Sequence, residues 1–409
     1  MIAWKRNLYF IIAAMFLSGT GFSFAVPFVP FYFQEMGVRD AHALKIWIML
    51  FNFAPAFTLA IFSPIWGALS DRYGRRLMLL RATFGSVVVL FLMGAAPTPA
   101  ALIILRLLQG ALTGSVSASQ TMVSVCSPKE RVGFSLGMLS AAVCSGSTSG
   151  AFFGGMFAEM FGYRLAFVAS SGILLLAAGI VLFGTEEYIA KRKDPDDRPQ
   201  KLRFSPGNLG SNRLILIMLA AIGVVMLFDA GWLPLLVQEI HGGISGAAFI
   251  TGSLAAAGGI AGFIAGPVIG RLADRITPPV IARFSSLGAG FMTILTALAG
   301  CFPFLFFTRF CTAFCAGGLD PVFQIWLSRV TPEKDRGSVF GWALTARSIG
   351  WMLAPLISGA VARLAGVRAI FFAAAAFYFL LVPLISFIVS RLEKNRAERP
   401  DNPVPGINS

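Results

Sequence analysis

Apolar residues run through this chain in long, nearly unbroken blocks, separated by short charged or Gly/Pro-rich stretches. Blocks of about 20 residues are long enough to cross a bilayer as a helix. Twelve are expected, near 8–34, 44–69, 77–96, 99–123, 133–158, 163–185, 212–238, 246–271, 279–299, 302–328, 337–362 and 367–390. The first block is too long for a cleaved signal peptide. It lacks a small-x-small cleavage site, and eleven more blocks follow it. The pattern predicts an all-α integral membrane protein.

A charged run, Gly67-Ala-Leu-Ser-Asp71-Arg72-Tyr-Gly74-Arg75-Arg76, separates the second and third blocks. A reduced copy, Gly270-Arg271-Leu272-Ala273-Asp274-Arg275, follows 203 residues later. Arg106 and Arg309 are also 203 apart. Gln34-Glu35 and Gln238-Glu239, Gln120 and Gln324, Gly137 and Gly341, and Gly162-x-Arg164 and Gly366-x-Arg368 repeat at 204. A register held across six blocks implies one duplicated membrane module. The expected domains are a six-helix bundle over 1–185, a linker over 186–211, a second pseudo-symmetric bundle over 212–391 and a tail over 392–409. Parallel repeats about an axis along the membrane normal fit this order, and such a doubled module points to a two-halved transporter. The Pro- and Gly-rich linker reads as a tether that lets the halves rock, and the polar tail as disordered.

Composition agrees, with 56% hydrophobic and only 13% charged residues, against about 25% charged in soluble domains. The net charge of +14 would suit a nucleic-acid binder, but its placement argues for topology. With the N-terminus inside, 25 of the 33 Lys/Arg fall in cytoplasmic segments, counting those at the cytoplasmic ends of spans. Arg39, Lys45, Arg164, Arg363 and Arg368 fall outside, and Arg106, Arg309 and Arg347 lie within spans. Both termini are therefore expected in the cytoplasm, with lipid rather than nucleic acid as the surrounding partner. Five cysteines form no paired framework. Cys311 and Cys315, one turn apart, read as packing residues rather than metal ligands, and His42 and His241 sit in outer loops. No metal, cofactor or catalytic cluster is expected.

Charges inside spans carry the functional signal, since each costs about 2.5–3.5 kcal/mol at a helix centre. They are Arg106, Asp229, Arg309, Asp320 and Arg347. On span four, Arg106, Thr113, Ser117, Gln120 and Ser124 recur at offsets that place them on one helical face. Such a stripe is expected to line a water-filled cavity, with Gln109, Arg309, Gln324 and Arg347. Arg309 and Asp320 are about 16 Å apart in height on one helix, so each needs a partner elsewhere. Arginine keeps its charge, which leaves Asp229 and Asp320 as the carboxylates able to exchange a proton. Asp71 and Asp274 could each cap a helix start across the halves, near Gly337 and Gly133, where free N–H groups favour an anion. With Gly67, Arg72, Gly74, Arg75 and Arg76 they form a candidate conformational latch. A tight turn that only enforces topology remains the other reading.

The chain resembles a twelve-span major facilitator over nearly its whole length. The Gly67–Arg76 run resembles that family's signature between spans two and three. Arg106-Leu-Leu-Gln109-Gly110 resembles the fourth-span motif of its proton-coupled members. Gly146-x3-Gly150-x3-Gly154-Gly155 resembles the span-five glycine motif of exporters, although Ala151 stands where that motif has proline, and Pro355 holds the repeat-equivalent position. The glycines also suit close helix packing. Within the family, Trp4-Lys5-Arg6-Asn7, Ser63-Pro64-x-Trp66-Gly67 and Leu77-Met78-Leu79-Leu80-Arg81 are similar to bacterial drug:proton antiporters of the fosfomycin/deoxycholate type. The resemblance implies a monomer in the bacterial cytoplasmic membrane that expels drug-like small molecules against protons. Many such relatives carry an acid on span one, whereas this span has only Glu35 at its outer end, so coupling is expected in the second half. Three interior arginines against two aspartates would favour anionic or zwitterionic substrates. An importer or exchanger of an organic anion, using Arg106, Arg309 and Arg347, is the alternative. A membrane enzyme or receptor has no catalytic cluster to support it.

Overall fold

The computed structural model describes residues 3–126, 132–186, 209–319, 322–323, 326–327 and 336–397, and the regular elements among them are helices. In chain order these are α1 (Ala3–Ala25), a 3-10 turn (Val26–Phe28), α2 (Val29–Glu35), α3 (Ala41–Tyr73), α4 (Arg75–Gly94), α5 (Pro99–Leu112), α6 (Ser115–Cys126), α7 (Val132–Phe161) and α8 (Tyr163–Gly184). The second half supplies α9 (Leu209–Leu227), α10 (Leu233–His241), α11 (Ala247–Arg275), α12 (Pro278–Ala297), α13 (Phe302–Ala316), α14 (Arg336–Ala365) and α15 (Val367–Ala397). Among the described residues, nine segments are long and apolar enough to cross a membrane. Three shorter apolar helices, Pro99–Leu112, Ile217–Leu227 and Phe302–Ala316, fall at expected spans four, seven and ten. Together they account for a twelve-helix membrane fold.

Four spans expected as continuous helices are interrupted, at repeat-equivalent places. Span one breaks at Val26–Phe28 and span seven over residues 228–232. Pro30 and Pro234, 204 residues apart, then open α2 and α10. Proline suits the first turn of a helix, where its missing N–H has no partner to lose. Span four breaks at Thr113 and Gly114, and span ten turns at Gly317–Gly318. Gly114 has φ 114°, a region closed to side chains with a Cβ, so the helix cannot run through it. The repeated Gly-x-Arg has the same kind of origin: Gly162 (φ 84°) and Gly366 (φ 88°) turn the chain into α8 and α15. The last helix runs to Ala397, so the polar tail expected from 392 begins inside a helix.

The chain divides into two compact units, Met1–Lys191 with Gly231–Ile260, and Arg192–Ala230 with Ala261–Ser409. In the first, α1 packs on α7 and α8, α4 on α8, and α3 on α5. Leu8, Ile11, Met15, Leu79, Leu139 and Val181 form the buried cluster where these helices meet. In the second, α9 packs on α14, α12 on α15, and α12 on α13, around Met218, Ile222, Ile269, Phe323 and Ile385. Spans one and five pair in one half as spans seven and eleven do in the other, which is the duplication seen at the level of packing.

Candidate functional site

Asp229 lies in the break of span seven, between α9 and α10. Arg309 on α13 reaches it, and Nη1 forms an ion pair with Oδ2. The two side chains are only 13% and 19% exposed, so the pair sits in a medium where losing one partner strands a buried charge. Buried Tyr378 on α15 lies within electrostatic range of both, and of Cys315. A break in a membrane helix frees backbone groups and is tolerated where protein or water satisfies them. The acid therefore sits where its span has backbone groups freed from the helix.

Arg106, the repeat partner of Arg309, has a different setting. It is 8% exposed. Nε donates to the carbonyl of Phe51 (3.2 Å), Nη1 donates to Oε1 of Gln109, and the guanidinium lies 4.0 Å over the Phe51 ring. Arg106 and Gln109 were expected at a cavity surface; the structure buries both against α3 and against each other. The single face from Arg106 through Thr113 to Gln120 also needs correction. The break at Thr113–Gly114 puts Gln120 on a separate helix, α6, where it is exposed. Thr113 closes α5, and its carbonyl accepts from Nη2 of Arg81 (3.5 Å). The Arg81 guanidinium in turn stacks 3.5 Å over Trp66, whose Nε1 donates to Ala111 (2.6 Å). Spans two and three thus brace the break in span four. The sequence contained Trp66 and Arg81 in distinctive runs, but no spacing rule joins them to residue 113.

Arg347 on α14 is half-buried, with its guanidinium 5.1 Å over the Trp351 ring. Its backbone carbonyl crowds Gly223 of α9, and Gly350 crowds the carbonyl of Ala220. The equivalent seam between α1 and α7 is closer still. A Cβ at Gly146, Gly150 or Gly154 would overlap the backbone of Phe16, Thr20 or Phe24, so three successive turns of the two helices touch main chain to main chain. Ala151, where the exporter motif has proline, is 3% exposed; its carbonyl lies against Gly252 of α11. Gly155 similarly faces the carbonyl of Ala248.

In the charged turn, Gly74 (φ 98°) separates α3 from α4, and Nη2 of Arg76 donates to the carbonyl of Leu182 on α8 (2.5 Å). Arg75 is partly exposed beside it. Asp320 and Gln324 lie outside the described residues. So do the surroundings of Gly67 and the side chains of Asp71, Arg72, Ser117 and Asp274, although their backbones are helical. Another repeated pair does meet. Gln34 of α2 and Gln238 of α10, both in the first unit, exchange amide hydrogen bonds of 2.8 and 2.9 Å. Nearby, Glu159 at the end of α7 accepts from the Gly246 N–H (2.5 Å). At the opposite end of α1, Asn7 bonds the backbone of Glu186 in both directions (3.0 Å each), and Arg6 pairs with its carboxylate.

A sequence model described as Major Facilitator Superfamily matches residues 11–299 and 243–407. "Multidrug resistance protein MdtG" of Proteus mirabilis (strain HI4320) is 33% identical over 392 residues, covering 94% of this chain and 96% of its own. The Escherichia coli (strain SMS-3-5 / SECEC) protein of the same name is 32% identical over 376 residues, covering 90% and 91%. Among solved structures, a bacterial homolog of the human lysosomal transporter Spinster, inward-facing and occupied, superposes with TM-score 0.79 at 15% identity, over 97% of this chain and 98% of that one. A point mutant of the nucleoside transporter NupG gives 0.75 at 13% identity, over 93% and 99%. At these identities the structures speak for the fold alone.

Proposed function

The chain belongs to the major facilitator superfamily, and on that premise we propose that it exports drug-like or amphiphilic small molecules in exchange for protons. It is a multi-pass membrane transporter of small molecules, not an enzyme. The efflux reading draws on its likeness to multidrug resistance proteins. The coupling reading rests on one observation, the Asp229–Arg309 pair at a helix break. In one state Arg309 balances Asp229. When the helices separate, the carboxylate takes a proton instead, because an unpaired charge in a low-dielectric interior is costly. Arginine cannot carry the proton itself. Asp320 on span ten is the second carboxylate of this scheme. One proton crossing 100 mV supplies about 2.3 kcal/mol, enough for about a fortyfold gradient of a neutral solute at 1.4 kcal/mol per tenfold.

In this scheme the protein works as a monomer in the bacterial cytoplasmic membrane with both termini inside. Two six-helix halves, 1–185 and 212–391, rock about the linker. The Gly67–Arg76 turn and Asp274 latch the cytoplasmic side, Gly146, Gly150 and Gly154 keep α1 and α7 moving as one body, and Arg347 with Gln120 and Gln324 faces the substrate path. An organic-anion carrier would need uncompensated arginines, and Asp229 removes Arg309 from that set. Proteoliposomes carrying purified protein and an internal pH dye test the coupling. Substrate should trigger proton flux in the wild type and none in Asp229→Asn or Asp320→Asn. Wild-type flux in both variants overturns the assignment.

A further inference from the structure

Below the glycine seam α1 and α7 leave an open apolar groove of about 620 Å³ between them, lined by Tyr9, Ala13 and Leu17 on α1 and Met138, Ala142 and Ser145 on α7. Apart from Tyr9 and Ser145 its lining is apolar, as a surface against hydrocarbon requires. Met138, Ala142 and Ser145 share a helical face with Phe153, Met156 and Met160, which are 51%, 40% and 68% exposed. The opposite side of α7 is covered by α11 through Ala151 and Gly155. At its upper end the groove is closed where Gly146 meets the backbone of Phe16.

The lower end carries a charge. Lys5 is one turn, about 6 Å, below Tyr9 on the same face of α1. Its neighbour Arg6 is paired with Glu186, whereas among the described residues no acid pairs with Lys5, whose ammonium lies 5.8 Å from the Trp4 ring. Trp, Tyr and Lys at a helix end are the set that suits the headgroup level of a membrane. From Tyr9 to Leu17 the groove runs about 12 Å, close to half the roughly 30 Å hydrocarbon thickness.

We propose that this groove binds one anionic phospholipid of the leaflet on the N-terminal side of α1. An acyl chain fills the gap between α1 and α7, the phosphate rests on Lys5, and the Tyr9 hydroxyl meets the headgroup region. The lipid braces the two helices along this groove, adding below the seam to the contact that the glycines make above it.

Native mass spectrometry of the purified full chain, titrated with phosphatidylglycerol or phosphatidylcholine of matched chains, tests this. The wild type should retain phosphatidylglycerol about fivefold better, the ratio expected for one basic residue at the headgroups. Lys5→Gln should abolish that preference while still holding either lipid weakly, and Lys5→Arg should restore it. Ala13→Trp, at an exposed position, should cut retention of both lipids, and Leu17→Trp should do the same if the first variant is unstable. Unchanged preference in Lys5→Gln overturns the headgroup assignment. Unchanged retention in the folded tryptophan variants overturns the groove, as would stoichiometric displacement of the lipid by transported drug.

Discussion

Removing one glutamine of the Gln34–Gln238 pair should cost nearly as much as removing both. The two amides exchange hydrogen bonds of 2.8 and 2.9 Å, the reciprocal pattern that local twofold symmetry requires of repeat-equivalent residues. Each such bond contributes about 0.5–1.5 kcal/mol net, so the pair contributes about 1–3 kcal/mol to the state that holds it. Gln34→Ala removes both bonds at once and leaves the part-buried amide of Gln238 without its partner, at a cost of about 1–3 kcal/mol. Gln238→Ala removes the same two bonds from the other side, while Nε2 of Gln34 keeps the Pro30 carbonyl (3.3 Å). The double variant loses nothing further across the pair, so its cost should fall short of the sum of the singles by about 1–3 kcal/mol. Reversible unfolding of the four proteins in detergent micelles supplies the cycle. Additivity within about 0.5 kcal/mol would mean the two side chains do not act on each other, and the pair would then be no more than adjacent.

Gly150→Val should lower the melting temperature sharply, by a cost of about 3 kcal/mol or more, since its Cβ would overlap the Thr20 backbone. Gly137→Val, on the same helix with nothing near its Cβ position, is the control, and equal melting of the two would refute main-chain contact as the reason. Asp71→Asn should slow turnover at unchanged substrate affinity if the charged turn is a latch. Turnover equal to wild type, measured with equilibrium binding, would leave the turn a topology signal only.

Much of the architecture was legible because a membrane simplifies the code. Hydrocarbon thickness sets span length, so all twelve spans coincide with apolar helices, most with ends within a few residues of expectation. Breaks inside spans were not anticipated, because hydropathy averages over them. Their signals are small but present, with Pro30 and Pro234 in register and Gly114 within a polar stretch. The site was harder to read. Helical arithmetic from Arg106 assumed a continuous helix, and one glycine with φ 114° cancels it. Burial of Arg106 depends on the Phe51 carbonyl, a backbone group that any residue would have supplied, so no side-chain pattern announced it. The Asp229–Arg309 pair spans 80 residues and follows from geometry that spacing cannot encode, although the need for some partner to Arg309 was evident from its charge. The aromatic runs suggested likeness to relatives without a physical role, and contact with the Thr113 break supplies one.

Duplication placed an arginine at equivalent sequence positions in both halves, yet among the described residues only Arg309 has an acid beside it. Ala25 stands 204 residues before Asp229, so the first half has nothing at that position to titrate. Its Arg106 is held instead by a peptide carbonyl and a neutral amide, partners whose charge is the same in every state. That copy can brace α5 against α3 throughout a transport cycle without gaining or losing a proton. In the second half the partner is a carboxylate beside a helix break, where the proposed coupling would have a displacement of α13 exchange Arg309 for a proton. On that proposal the same inherited cation serves as a fixed brace on one side and as one half of an exchangeable pair on the other. On the proposed coupling, this asymmetry is why a protein built from two equivalent bundles needs only one of them to sense protons.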